Sequence, residues 1–104
     1  MDKIVAVLNG YNMLNKEQVH DYLSDRLNFP DYYGKNLDAL YDLLSTYSQP
    51  EKLIILLIYS EIMLDQLGDY GYKLVKTFED ASKINPHLDF RMKDFIFINE
   101  SEEF

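Results

Sequence analysis

The apolar positions along this chain alternate between two kinds of pattern, short continuous runs and helix-spaced stripes. Lys3-Ile-Val-Ala-Val-Leu8 is short, apolar and β-branched, and Asn9-Gly10 stops it, so it predicts a strand. Asn15 followed by Gln18 has the form of a capping box, and Val19, Tyr22, Leu23 and Leu27 follow it at helical spacing. Phe29-Pro30 ends that helix, because proline disfavours the helical conformation in the residue before it. Asp31 to Asn36 reads as a loop, with Asn36 as the N-cap of a second helix. In that helix Leu37, Leu40, Tyr41, Leu44 and Tyr47 form one apolar stripe, and Gln49-Pro50 breaks it. Leu53 to Ile58 is an unbroken apolar run, the form expected of a strand covered on both faces. Ser60 is expected to cap a short helix through Leu67, which Gly68 ends. A longer helix is predicted over Asp69 to Ile84, with Leu74, Val75, Phe78 and Ala81 on its buried face and Asn85-Pro86 terminating it. Leu88, Phe90 and Met92 alternate with Asp89 and Arg91 as a half-buried strand would. Phe95 to Ile98 is a second strand-like run, and the pattern leaves open whether the two are one bent strand or two.

Strands separated by helices imply right-handed parallel crossovers. The most apolar strand, Leu53 to Ile58, belongs in the centre. The predicted fold is therefore α/β, a three-stranded parallel sheet in the order 1-2-3 with about four helices. No repeat or linker divides the 104 residues, which fit one domain over 1–104, with an acidic tail from about residue 100 expected to fray.

Charge changes the functional picture. Ten basic and 18 acidic residues give a net charge of -8. Phosphate neutralisation needs a basic face, so direct nucleic-acid binding is not expected, nor is attraction to anionic membrane surfaces. The charge suits a cationic protein partner instead. With 47% hydrophobic residues the chain is no disordered acidic tail, and with no cysteine it has neither disulfides nor thiolate chemistry. Ile4 to Leu8 is too short for a signal sequence, and no run approaches the ~20 apolar residues of a membrane helix. A cytoplasmic protein is the simplest expectation.

Few residues offer chemistry. Asp38 and Asp42 are neighbours on one helix face, and Leu40 lies about 200° round the helix from Asp38, so both carboxylates project away from the apolar stripe. A first-turn carboxylate such as Asp38 also favours the helix dipole by itself; Asp42 lies too far along for that explanation. Gly34 is expected to supply a positive φ or a close backbone approach. Tyr33 is expected to plug the core. Tyr32 either shields the loop or anchors a partner, since tyrosine combines a large apolar body with a polar tip. Asp80 faces away from Phe78, with Lys76 and Lys83 in reach for a solvated pair. His20 and His87 sit at separate, ordinary positions without ligand spacing, so no metal site or cofactor is expected. No nucleophile motif or phosphate-binding glycine loop is present.

The segment Phe29-Pro-Asp-Tyr-Tyr-Gly-Lys-Asn-Leu-Asp-Ala-Leu-Tyr-Asp42 resembles the barstar family, intracellular inhibitors of an extracellular ribonuclease. Weaker similarity extends from Lys3 to about Met92. The resemblance implies the same three-stranded parallel fold and a loop and second helix that plug a nuclease active site. It implies that Asp42 enters the phosphate-binding pocket, that Asp38 faces basic residues, and that Tyr32 stacks near the catalytic base. Gly34, Asn36 and Leu37 match small and backbone contacts, Tyr41 and Tyr47 stand where the family's namesake has tryptophans, and Asp80 stands where the family has a glutamate. Lys35 departs from the pattern by replacing an acid within the binding loop, Glu79 replaces a basic residue, and the chain continues past the family's usual end. The implied function is inhibition of a basic ribonuclease without catalysis. The alternatives are a binding module on the same fold with another cationic partner and, further off, a small hydrolase using the Asp38–Asp42 pair.

Overall fold

The computed structural model describes residues 2–93, so the expectations for Phe95 to Ile98 and for the acidic tail lie outside the described residues. The element order is β1 (Lys3–Asn9), a short 3-10 turn (Gly10–Asn12), α1 (Lys16–Leu27), α2 (Leu37–Ser45), β2 (Lys52–Ile58), α3 (Ser60–Leu67), α4 (Asp69–Ile84) and β3 (Leu88–Lys93). The three strands form one parallel sheet in the order β1-β2-β3, as the apolar run of β2 predicts.

Register places Ile55 between Ala6 and Phe90, and Leu57 between Leu8 and Met92. Leu8, Ile55 and Leu57 are fully buried, joining Val19 and Leu23 of α1, Leu40 and Leu44 of α2, and Leu74 and Phe78 of α4 in one core. Phe90 stacks on Phe78 with ring centroids 4.9 Å apart. Each of these helical residues lies on the stripe read from sequence, because the stripe is what the helix must bury. No described helix is long and apolar enough to cross a membrane.

Two expectations are corrected. The β2 strand is not covered on both faces: Leu53, Ile55 and Leu57 are buried, but Ile54, Leu56 and Ile58 are half-buried, and Val5 beside Ile54 is 56% exposed. The core cluster occupies one face, so an all-apolar strand here leaves apolar surface on the other. Ser60 does not cap α3 either. It is the first helical residue, and Tyr59 precedes it in the left-handed conformation with no side-chain cap. At that turn Gly10 abuts the Tyr59 carbonyl so closely that a Cβ on Gly10 would lie 2.1 Å from that oxygen, so the packing there requires glycine.

Candidate protein-binding surface

The loop between α1 and α2 begins with an asparagine. Asn28 takes the left-handed conformation at the end of α1, and its backbone N–H and that of Phe29 both donate to the Ser24 carbonyl. Pro30 then stops the helix, and its carbonyl accepts from the Tyr33 N–H at 3.0 Å, a tight turn. The turn sends successive tyrosines in opposite directions. Tyr33 packs on Phe29 with ring centroids 4.7 Å apart and is 6% exposed, whereas Tyr32 is 81% exposed. Tyr33 therefore plugs the core as expected, and Tyr32 does not shield the loop by folding over it.

Gly34 does not take a positive φ. The left-handed residue is its neighbour Lys35, at φ 55. The other half of the expectation, close approach, describes Gly34 better: a Cβ there would sit 3.3 Å from the Ala39 Cβ. Lys35 is held in place by Asp21 of α1, whose carboxylate lies 2.8 Å from its Nζ. That hydrogen bond and charge raise the Lys35 pKa. The lysine that departs from the family pattern thus has its charge matched by an acid one element away. Both side chains are more than half exposed, so solvent screens the pair.

Asn36 caps α2: its Oδ1 accepts from the Ala39 N–H at 2.7 Å, and its Nδ2 donates to the Gly34 carbonyl at 3.3 Å. One side chain therefore fixes both the last loop turn and the first helical turn. Leu40 and Leu44 are buried beneath α2, and Asp38 and Asp42 are exposed above it. Leu37, Tyr41 and Tyr47 pack half-buried at the margin of the core. The Tyr47 hydroxyl donates to the Glu51 carbonyl at 2.9 Å, so its polar tip is used within the chain. An apolar groove of about 620 Å³ runs beside it, lined by Phe29, Pro30, Leu43 and Leu53 among others; neither aspartate lines it. Asp80 is ion-paired with Lys76, Nζ to Oδ2 3.3 Å, the solvated helical pair its spacing allows.

One position is not ordinary. His20 is 2% exposed, its Nδ1 2.6 Å from the Tyr33 hydroxyl and its Nε2 2.6 Å from that of Tyr70. Burial lowers its pKa below the ordinary 6.5; Asp21 opposes that shift and Lys35 adds to it. Nothing in its spacing signals this, because the tyrosines arrive from 13 and 50 residues away. His87 is exposed. Among the described residues no cluster of three or more His, Cys, Asp or Glu side chains could hold a metal ion.

The candidate surface is an exposed tyrosine in the loop and two exposed carboxylates on the capped helix that follows it. Such carboxylates can accept charge-assisted hydrogen bonds from cationic side chains. Comparison with known proteins bears on what meets them. The family model described as Barstar (barnase inhibitor) matches residues 4–95. The chain belongs to the barstar family. A relative in Bacillus subtilis (strain 168), named "Putative ribonuclease inhibitor YrdF", is 35% identical over 77 residues, which are 74% of this chain and 84% of the relative. The matched barstar region contains the whole loop and α2, and also Asp21 and His20, the two residues outside that segment that tie it to α1.

Proposed function

We propose that this barstar-family chain inhibits a basic ribonuclease by covering its active site with the loop 31–36 and α2. The observation that carries the reading is the placement of Asp38 and Asp42, both exposed on one capped, core-anchored helix, with the 81% exposed Tyr32 in the loop that leads into it. A ribonuclease site is cationic because it must bind phosphate. Carboxylates held on a preorganised helix match that charge without the entropy loss of ordering a flexible acid. No bond is broken, so neither nucleophile nor cofactor is required. In this reading Asp42 occupies the phosphate pocket, Asp38 faces flanking basic groups, Tyr32 stacks over the rim, and Asp80 adds a lesser contact because Lys76 already pairs with it. Gly34, Asn36 and Leu37 shape the loop, and Tyr41 and Tyr47 support α2 from the core margin. The family name and that of the relative both point to a ribonuclease as the partner class.

The test is residual RNA cleavage by a basic secreted ribonuclease from the same organism, titrated with the pure protein. Cleavage should fall to zero at stoichiometric protein, and undiminished cleavage at micromolar excess would refute the reading for that enzyme. Asp42→Ala should weaken binding by about 3–5 kcal/mol, more than about a hundredfold in Kd, because it strands a cationic group in a buried interface. Asp65→Ala, at an exposed position of α3, should change binding little; equal losses from the two would show that the surface is misassigned.

A further inference from the structure

Strand β1 lies at the edge of the sheet, with β2 as its only neighbour among the described residues. The Asp2 carbonyl accepts from the Lys52 N–H at 3.1 Å. Backbone groups alternate in direction along a strand, so those of Ile4, Ala6 and Leu8 also point to β2, and those of Lys3, Val5, Val7 and Asn9 point outward. Helix α1 occupies the outward groups at the far end of the strand. The Asn9 N–H donates to the Tyr22 hydroxyl at 2.9 Å, and the Val7 carbonyl accepts from Arg26 Nη2 at 3.2 Å. Among the described residues no side chain does the same for Lys3 or Val5. The side chains at this end are open as well: Ile4 and Val5 are both exposed, and Ile4 lines the apolar groove together with Ala6 and Arg26. An uncovered apolar edge is a template for another strand.

We propose that this edge binds a second copy of the chain, β1 against β1 and antiparallel, with Ile4 opposite Ile4 on the two-fold axis. The proposal does not depend on the inhibitor reading.

Hydrogen-bond parity and charge select the register. In an antiparallel pair, backbone bonds are exchanged between opposite residues that both point outward, here Lys3, Val5 and Val7. An axis at Val5 sets Lys3 opposite Val7, whose carbonyl Arg26 already holds. An axis at Lys3 sets two lysines face to face, which is destabilising. An axis at Ile4 sets Lys3 opposite Val5 on both sides of the axis, so both residues of each copy exchange backbone bonds. It also places Asp2 of the second copy opposite Ala6, which shares the groove with Arg26, so a carboxylate meets a guanidinium. Each of these matches occurs twice by symmetry, as a two-fold interface requires. The chain's own β1 therefore supplies the complement of this edge at every position from Asp2 to Ala6, and an unrelated strand would have to imitate it. Two effects keep the dimer weak. A contact over Asp2 to Ala6 is far shorter than the ~20–30 residues a side of a standard interface. The net charge of -8 on each copy opposes association, and salt relieves that repulsion.

Sedimentation velocity of the full chain from about 10 μM to about 1 mM, at low and high salt, tests the association. The protein should pass from monomer toward dimer over this range, and at lower concentration when salt is high. A monomer throughout would overturn the proposal. Charges at position 5 test the register, because Val5 is exposed and stands opposite Lys3 of the second copy. Val5→Lys should raise the dimer Kd about tenfold, and Val5→Glu should lower it about threefold, from like and unlike charges directly across the pair. Net charge alone predicts the reverse order, since the lysine lessens repulsion between copies and the glutamate adds to it. The double variant Lys3→Glu, Val5→Lys restores opposite charges and should dimerise again, which separates lost pairing from lost folding. Weakening by both single variants, the result for an axis at Val5, would overturn the proposal, as would the reverse order. In wild type, amide exchange at Lys3 and Val5 should slow as concentration rises, while Ile4 and Ala6, already bonded to β2, stay level. Slowing that spares Lys3 and Val5 would place the contact elsewhere and overturn the assignment of this edge.

Discussion

Asn85 ends α4 with its side chain turned inward, Nδ2 donating to the carbonyls of Leu44 at 2.9 Å and Tyr47 at 2.8 Å. Those two carbonyls belong to the last turn of α2 and the residues after it, where a helix leaves acceptors without intrahelical partners. One buried amide therefore closes the end of the helix that carries Asp38 and Asp42, and its Oδ1 accepts from the His87 N–H at 2.9 Å. Asn85→Ala should cost about 1–3 kcal/mol, because it takes the donor from the Tyr47 carbonyl and the buried bond from that of Leu44, which keeps the Tyr47 N–H at 3.3 Å. Urea unfolding would read this as a lower midpoint at unchanged slope. An unchanged midpoint would mean that water replaces the amide and that α2 does not depend on it.

The same helix is controlled at its other end by Asn36. Asn36→Ala should cost about 1 kcal/mol, the usual worth of an N-cap, whereas Asn36→Asp should keep the stability, since a carboxylate can accept from the Ala39 N–H and favours the positive helix end. Equal losses in the two variants, measured by urea unfolding, would place the worth of Asn36 in its Nδ2 bond to Gly34 rather than in the cap. This cap was legible in advance, because it depends on residues three apart. So were the helix stripes and the central place of β2, which rest on local periodicity. What escaped sequence reasoning was set from afar. Of the two roles open to Gly34, the close approach is found there, while the left-handed residue is Lys35, whose ion-pair partner lies 14 residues back. His20 looked ordinary because nothing near it in sequence marks Tyr33 and Tyr70 as its partners. The β2 strand looked doubly covered because an apolar composition does not say which face receives the helices. For the site, the motif marked the loop and α2, while Asp21 and His20, which fasten that loop to α1, carried no local signal.

Across the whole molecule the charges are distributed unequally. Among the described residues the ion pairs are Lys35–Asp21, Lys76–Asp80 and Arg91–Asp89. Asp38 and Asp42 are in none of them, so at the proposed surface the two carboxylates of α2 face solvent uncompensated while Asp80 is already matched. Beyond these, the net charge of -8 acts at a distance. Long-range attraction to a basic ribonuclease accelerates encounter, and salt screens it over a Debye length of about 8 Å at physiological ionic strength. Contacts made within the interface are desolvated and screened much less. The two contributions therefore separate by rate. The association rate should fall steeply, by about tenfold or more, as salt rises from low to high ionic strength, and the dissociation rate should move far less. Asp65→Lys, remote in sequence from the loop and α2, should slow association modestly and leave dissociation unchanged, whereas Asp42→Ala should act mainly on dissociation. Stopped-flow association and competition-based dissociation over a salt series measure both. If salt and Asp65→Lys moved dissociation as strongly as association, the acidity of this chain would belong to the contact surface itself, and the assignment of binding to two carboxylates on α2 would fail.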